Sequence, residues 1–239
     1  MNKRIVVIGG SSGMGLAVAR MALAEGAEVI IAGRSTERLH AARSILGQDR
    51  LEIAALDIGN QPDVAALFDR VGQFDHLVIT AANLAYGPVL ELKEDDLMRG
   101  FRSKLLGALF AVQKSAARIR PGGSITFTSG IAAKRPMRGG AVAAAINSGL
   151  EGLARSLAIE LAPTRVNVVS PGWTDTPIWD GMTGMTKEKK QEAHSAMSAR
   201  LPAGRIGRAE DIAEAVMFLM KNGFTTGMVL DVDGGHQLV

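Results

Sequence analysis

From one end of the chain to the other, short apolar runs alternate with longer stretches in which apolar residues recur every three or four positions. Ile5-Val6-Val7-Ile8, Val29-Ile30-Ile31 and Val166-Asn167-Val168-Val169 are rich in β-branched residues and apolar on both faces, the pattern of strands buried on both sides. Seven strands are predicted, beginning near Arg4, Glu28, Leu51, Asp75, Gly123, Arg165 and Met228. Between them, Leu16 to Ala24, Glu37 to Leu46, Asp63 to Val71, Asp95 to Ala117, Val142 to Leu161 and Ala209 to Met220 carry helical periodicity. The alternation predicts an α/β, doubly wound architecture: a seven-stranded, mainly parallel sheet with helices on both faces.

No linker or repeat interrupts this order, so residues 1–239 read as one domain. The one irregular stretch is 173–204, where Pro177, Gly181, Gly184 and Pro202 act as breakers around a short charged helix at Thr186 to Ala199. Its Trp179, Met182, Met185 and Met197 have two readings, a mobile lid over a pocket or a surface excursion with a few packed apolar residues.

Composition narrows the function classes. Of 239 residues, 47% are hydrophobic and 21% charged, the balance of an ordinary globular protein. The chain has no cysteine, which excludes disulfides, thiolate zinc sites and thiol nucleophiles and fits a reducing compartment. Met1-Asn2-Lys3-Arg4 runs straight into a strand, and no apolar run approaches the roughly 18 residues of a membrane span, so the expected location is the cytoplasm, away from membranes. The net charge is only +3, the basic residues are scattered and aromatics make up 4%, which argues against a nucleic-acid partner. His40, His76, His194 and His236 share no ligand spacing, and no metal site is assigned.

After the first strand comes Gly9-Gly10-Ser11-Ser12-Gly13-Met14-Gly15, which leads into an Ala-rich helix. Glycines there allow a sharp turn, close approach of amides to a pyrophosphate and tight helix–strand packing, and the helix N-terminus adds oriented N–H groups. The spacing GxxxGxG, matched by Gly9, Gly13 and Gly15, resembles the short-chain dehydrogenase/reductase family, and the likeness runs through the whole chain. It continues at Asp57, at Ser129, at Pro171-Gly172 with Thr176, and at Gly227 with the closing Val232-Asp233-Gly234-Gly235. The resemblance implies a Rossmann fold and a nicotinamide dinucleotide held by Gly9, Ser11, Ser12, Gly13, Met14, Gly15, Arg34, Ser35, Asp57, Ile58, Ala81, Ala82, Pro171, Gly172, Thr174 and Thr176. The second strand ends in Ala32-Gly33-Arg34-Ser35, without the carboxylate that would hold the ribose hydroxyls of NAD. Arg34 there either pairs with the 2′-phosphate of NADP(H), the cofactor expected, or is a solvated loop arginine.

The family's proton-handling residues are largely missing. Aligned through Glu151-Gly152-Leu153-Ala154-Arg155-Ser156-Leu157, the family's Tyr and Lys of YxxxK fall on Ala143 and Asn147, its Ser on Ser129, and its helical Asn on Lys104. Asn-Asn-Ala-Gly after the fourth strand is replaced by Ile79-Thr80-Ala81-Ala82. Lys104 lies on the apolar stripe Leu97, Phe101, Leu105, Ala108 and Val112. Its ammonium either reaches the vacated pocket near Asn147 and Ser129 or snorkels to water; the second is the more ordinary behaviour and is the expectation. Tyr86, the chain's one tyrosine, is either a proton donor or a packing or substrate-contact residue. The candidate catalytic set is therefore Ser129, Lys104, Asn147 and Tyr86. The reading favoured is an NADP(H)-dependent oxidoreductase acting on a small-molecule carbonyl or alcohol. The alternatives are a repurposed enzyme, such as one reducing a preformed iminium, and a non-catalytic cofactor sensor or partner subunit. The length and apolarity of the helices at Asp95 to Ala117 and Val142 to Leu161, with the small residues Ala143 to Ala145, predict a homodimer or homotetramer.

Overall fold

The computed structural model describes residues 3–177, 179 and 186–239. Its elements run β1 (Arg4–Ile8), α1 (Gly13–Ala24), β2 (Glu28–Gly33), α2 (Thr36–Leu46), β3 (Leu51–Ala55), α3 (Gln61–Val71), β4 (Phe74–Ile79), α4 (Glu94–Gly100), α5 (Gly107–Ser115), β5 (Ile119–Thr128), α6 (Ala141–Glu160), β6 (Arg165–Pro171), β7 (Thr174–Asp175), α7 (Lys187–Arg200), β8 (Gly207–Arg208), α8 (Ala209–Lys221) and β9 (Val229–Val232). Seven strands form one sheet in the order β3-β2-β1-β4-β5-β6-β9, and every pairing is parallel. No described helix is long and apolar enough to cross a membrane.

The period-two pattern of β1 explains the two layers. Val6 and Ile8 point into a core shared with α3, α5 and α6, where Phe68, Val112 and Leu150 pack. Ile5 and Val7 point the opposite way, toward Val18 of α1, Leu39 of α2 and Val216 of α8. Because the chain builds outward from β1 to β3 and then returns to lay β4 on the other side of β1, a crevice opens between their carboxyl ends. That switch point is where open α/β sheets hold ligands.

Three sequence expectations need correction. β5 begins at Ile119 rather than near Gly123, because a register shift between Phe74 and His76 absorbs the Pro121-Gly122 break without ending the strand. The two-residue strands β7 and β8 form a separate small sheet that the pattern of apolar runs does not reveal. The stretch from Asp95 to Ala117 is not one regular helix. A π-helical turn at Phe101–Leu106 separates α4 from α5, and a 3-10 turn at Ala116–Arg118 follows. Within that π turn Lys104 is the buried side chain, while its stripe neighbours Phe101 and Leu105 are only half-buried. In the irregular stretch, Thr186 caps α7 by accepting from the Lys189 N–H at 3.3 Å, and Met197 is buried. Gly181, Met182, Gly184 and Met185 lie outside the described residues.

Candidate active site

The crevice at the switch point is lined by Gly9, Ser11, Ser12, Gly13, Met14 and Gly15 from the turn into α1, by Arg34 and Ser35 after β2, and by Asp57 and Ile58 after β3. Ala81 and Ala82 after β4 and Thr176 after β7 complete this set. The turn has no room for side chains at Gly9, Gly10 and Gly15. A Cβ on Gly15 would stand 2.3 Å from the Gly9 carbonyl oxygen, and one on Gly9, whose φ is +94°, would stand 2.5 Å from Thr80 Oγ1. Thr80 uses its hydroxyl to hold this turn, with Ile8 O and Gly9 O each at 3.3 Å. Ser12, the residue before α1, makes no side-chain cap and the first turn of the helix carries no acid, so its amides and positive dipole face the crevice uncompensated.

At the crevice's outer end Arg34 is joined by Arg38. Ser35 accepts the Arg38 N–H at 3.2 Å and so starts α2 with Arg38 in its first turn. Neither guanidinium has a hydrogen bond or ion pair among the described residues. Asp57 turns one carboxylate oxygen onto the Gly59 N–H at 2.9 Å, bracing its own loop. Pro171, Gly172 and Thr174 do not line the crevice. Gly172 donates to Val232 O at 2.9 Å and lies so close to the closing loop that a Cβ would meet Asp233 Cα at 2.6 Å. Thr174 Oγ1 donates to Gly172 O at 3.1 Å. These residues, with Asp233-Gly234-Gly235, lock β6 to the end of the chain.

Ser129, Lys104 and Asn147 form a single buried network. Lys104 Nζ donates to Ser129 O at 2.8 Å and to Asn147 Oδ1 at 2.7 Å, and the Asn147 amide donates to Gly130 O at 3.4 Å. The snorkelling expected for Lys104 is therefore wrong: the side chain is 6% exposed, and the π turn aims it inward at two fixed acceptors. Burial pulls its pKa down from 10.5 to about 7. The two acceptors satisfy two of its hydrogens, which leaves the third position as N–H or lone pair according to pH. Ser129 Oγ donates to Glu151 Oε1 at 2.9 Å. Ala143, Asn147 and Glu151 follow one another at four-residue intervals on the inner face of α6, all buried. Tyr86 is not joined to this network by any hydrogen bond. It stands partly exposed on the loop after β4, beside Gly87, whose N–H donates to Gly139 O at 2.9 Å, and burial of part of its ring raises its pKa.

The family model described as Enoyl-(Acyl carrier protein) reductase matches residues 9–237. The short-chain dehydrogenase/reductase malC of Malbranchea aurantiaca is 33% identical over 253 residues, covering 99% of this chain and 95% of that protein. The chain belongs to the short-chain dehydrogenase/reductase family. Among other members, the human 3-oxoacyl-(acyl-carrier-protein) reductase is 34% identical over 248 residues, covering all of both proteins. Of the solved short-chain dehydrogenase/reductase structures, the MalC reductase/Diels-Alderase superposes with a TM-score of 0.91 at 30% identity over 100% of this chain and 97% of that one. A small-chain dehydrogenase in complex with NADPH gives 0.83 at 32% identity over 100% of each chain.

In this short-chain dehydrogenase/reductase, sequence reasoning missed Arg38, Thr80 and Glu151. Arg38 was legible in principle, one turn beyond Arg34 after a serine cap. Thr80 shows in the sequence only as a departure from the family's pattern. Glu151 carried no signal of its own, because its role depends on α6 facing the end of β5.

Proposed function

We propose that the protein is an NADP(H)-dependent reductase of small carbonyl compounds in which Lys104 handles the proton. The cofactor part rests on the fit of the crevice. The α1 N-terminus with Ser11 and Ser12 suits a pyrophosphate, and Arg34 with Arg38 suits a 2′-phosphate through charge-assisted, bidentate hydrogen bonds. The relative solved with NADPH supports the same choice. NADPH, when bound, supplies the hydride.

The proton part rests on one observation: the Lys104 ammonium is held between Ser129 O and Asn147 Oδ1 at the position matching the family's Asn, while Asn147 stands at the position matching its Lys. The two residue types have exchanged helices and meet in the middle. A positive charge is thereby retained at the end of β5, although Ala143 offers no phenol. A group with a pKa near 7 is half-protonated at neutral pH, the condition under which general acid–base transfer is most effective. Asn147 and the Ser129 carbonyl fix the direction of the ammonium. Glu151 fixes the Ser129 hydroxyl, whose remaining lone pairs can accept from a substrate hydroxyl or water. Mixing purified protein with NADPH and a panel of ketones, quinones and imines while following nicotinamide absorbance tests the reading. Steady oxidation that Lys104→Met abolishes is expected, and brisk turnover indifferent to Lys104 and Ser129 defeats it.

A second reading is favoured by the apolar Ala143 at the position matching the family's tyrosine. Reduction of a preformed iminium needs no proton donor at that position. Turnover confined to the imines of the same panel would select this reading over ketone reduction.

A further inference from the structure

A second cavity, of about 480 Å³, shares none of its lining with the dinucleotide crevice. It lies among the 3-10 turn Ile131–Ala133, which begins two residues beyond Ser129, Trp173, which directly follows Pro171-Gly172, one face of α7, and the C-terminal 3-10 turn His236–Leu238. The turn that follows Ser129 thus forms part of the wall of this space.

The lining is apolar at Met137, Trp173 and Met197 and carries three polar side chains, Arg135, Arg200 and His236. Neither guanidinium has a hydrogen bond or ion pair among the described residues. The adjacent Lys134, by contrast, is bound to both oxygens of Asp231 at 2.5 Å. His236 is 6% exposed and its Nδ1 has no partner. Burial, then the nearby charge of Arg135, and finally that of Arg200 lower the pKa of this imidazole, against the opposing charge of Asp233. Asp233 does not neutralise the arginines: it is taken up by the Gly235 N–H, the Gln237 N–H and the Gln237 amide at 2.9, 3.0 and 3.2 Å. Two guanidiniums at the rim of an open pocket, unpaired among the described residues, with a buried imidazole nitrogen left unsatisfied, are groups that a ligand with charged oxygens would complete.

We infer that this cavity is a subsite for the anionic end of the substrate, a carboxylate or phosphate monoester gripped by Arg135 and Arg200 with His236 Nδ1–H as a further donor. The apolar part of the same molecule then lies along Trp173, Met137 and Met197. Calling the ligand a substrate rests on the reductase reading above; the anion site itself does not.

The molecule carries its own reporter. Its two tryptophans are Trp173, which lines the cavity, and Trp179, whose ring packs against it tilted by 40° with centroids 4.6 Å apart, so intrinsic fluorescence reads this space. The full chain, without cofactor, is titrated with hexanoate, hexyl phosphate and hexanol at constant ionic strength. The expected result is a saturable emission change with hexanoate or hexyl phosphate at roughly tenfold or more tighter affinity than hexanol, and the tighter of the two names the anion. Arg135→Gln and Arg200→Gln should each weaken that anion by about tenfold or more and leave hexanol unaffected, while Arg200→Lys should recover part of the loss. Equal affinity for all three probes, no saturable response to either anion, or unaltered binding in both glutamine variants would overturn the inference. Matched pairs of acidic and neutral ketones with NADPH separate the two claims. Anion binding without any NADPH oxidation leaves the subsite standing and defeats the reductase reading. Turnover blind to the acidic group leaves the reductase and defeats the subsite.

Discussion

Replacing Lys104 by Met keeps the length and apolar stem of the side chain and removes its charge and donors. In the folded protein the ammonium has a pKa of about 7, against 10.5 when free in solution. Between those values the unfolded chain binds more protons than the folded one, so stability rises with pH across that window and is lowest where Lys104 is charged in both states. The displacement sets an upper bound of about 5 kcal/mol on the whole rise and about 1.4 kcal/mol on its slope per pH unit. In Lys104→Met the rise vanishes, but Ser129 O and Asn147 Oδ1 lose their donor, at about 1 to 3 kcal/mol each. The variant should therefore be close to the parent near pH 6 and fall progressively behind it toward pH 9. Urea midpoints of both proteins at three pH values measure this directly, and parallel curves would show that Lys104 is not a buried titrating group. Turnover supplies the second readout. Loss of a general acid is worth about 10² to 10⁴ in rate, with NADPH affinity kept within severalfold. With the Lys104 ammonium as the proposed proton donor, carbonyl reduction by the parent should decline as pH rises through about 7, and alcohol oxidation should show the opposite trend. A reduction rate independent of pH across this range would remove Lys104 from the chemistry.

Other outcomes follow from the same geometry. NADPH should bind at least about tenfold more tightly than NADH; Gly33→Asp with Arg34→Leu should reverse the order and Arg38→Leu should narrow it, as read by equilibrium titration. Gly15→Ala places a methyl 2.3 Å from Gly9 O and should lower both dinucleotide affinity, by about tenfold or more, and the melting temperature, since the clashing atoms are backbone and the turn must shift to admit it. His76, buried beside Ser124 Oγ at 2.9 Å, has its pKa lowered from 6.5 to about 4 by burial. The unfolded chain then binds the extra proton between those values, so acidification from pH 6.5 to 4 should remove up to about 3 kcal/mol of stability, a loss absent from His76→Leu when the two are compared by urea titration.

The layered sheet, the phosphate-binding turn and the arginine after β2 were legible because each is a local pattern. Alternation at β1 assigns its two faces, four glycines in seven residues mark a turn that excludes side chains, and the absence of a carboxylate at the end of β2 beside Arg34 is visible in the sequence alone. The candidate catalytic cluster is not local. Lys104 finds Ser129 and Asn147 across 25 and 43 residues; helical spacing places it on the apolar stripe, but that its ammonium meets these two acceptors there, from a π turn, depends on where β5 and α6 lie. Glu151 reaches Ser129 because α6 crosses the end of β5, and Arg135, Arg200 and His236 meet because three chain segments converge behind Trp173. Sequence periodicity determines which face of an element is apolar. Which polar groups on that face find partners, and so whether a buried lysine is anchored or escapes to water, is decided only when the elements pack.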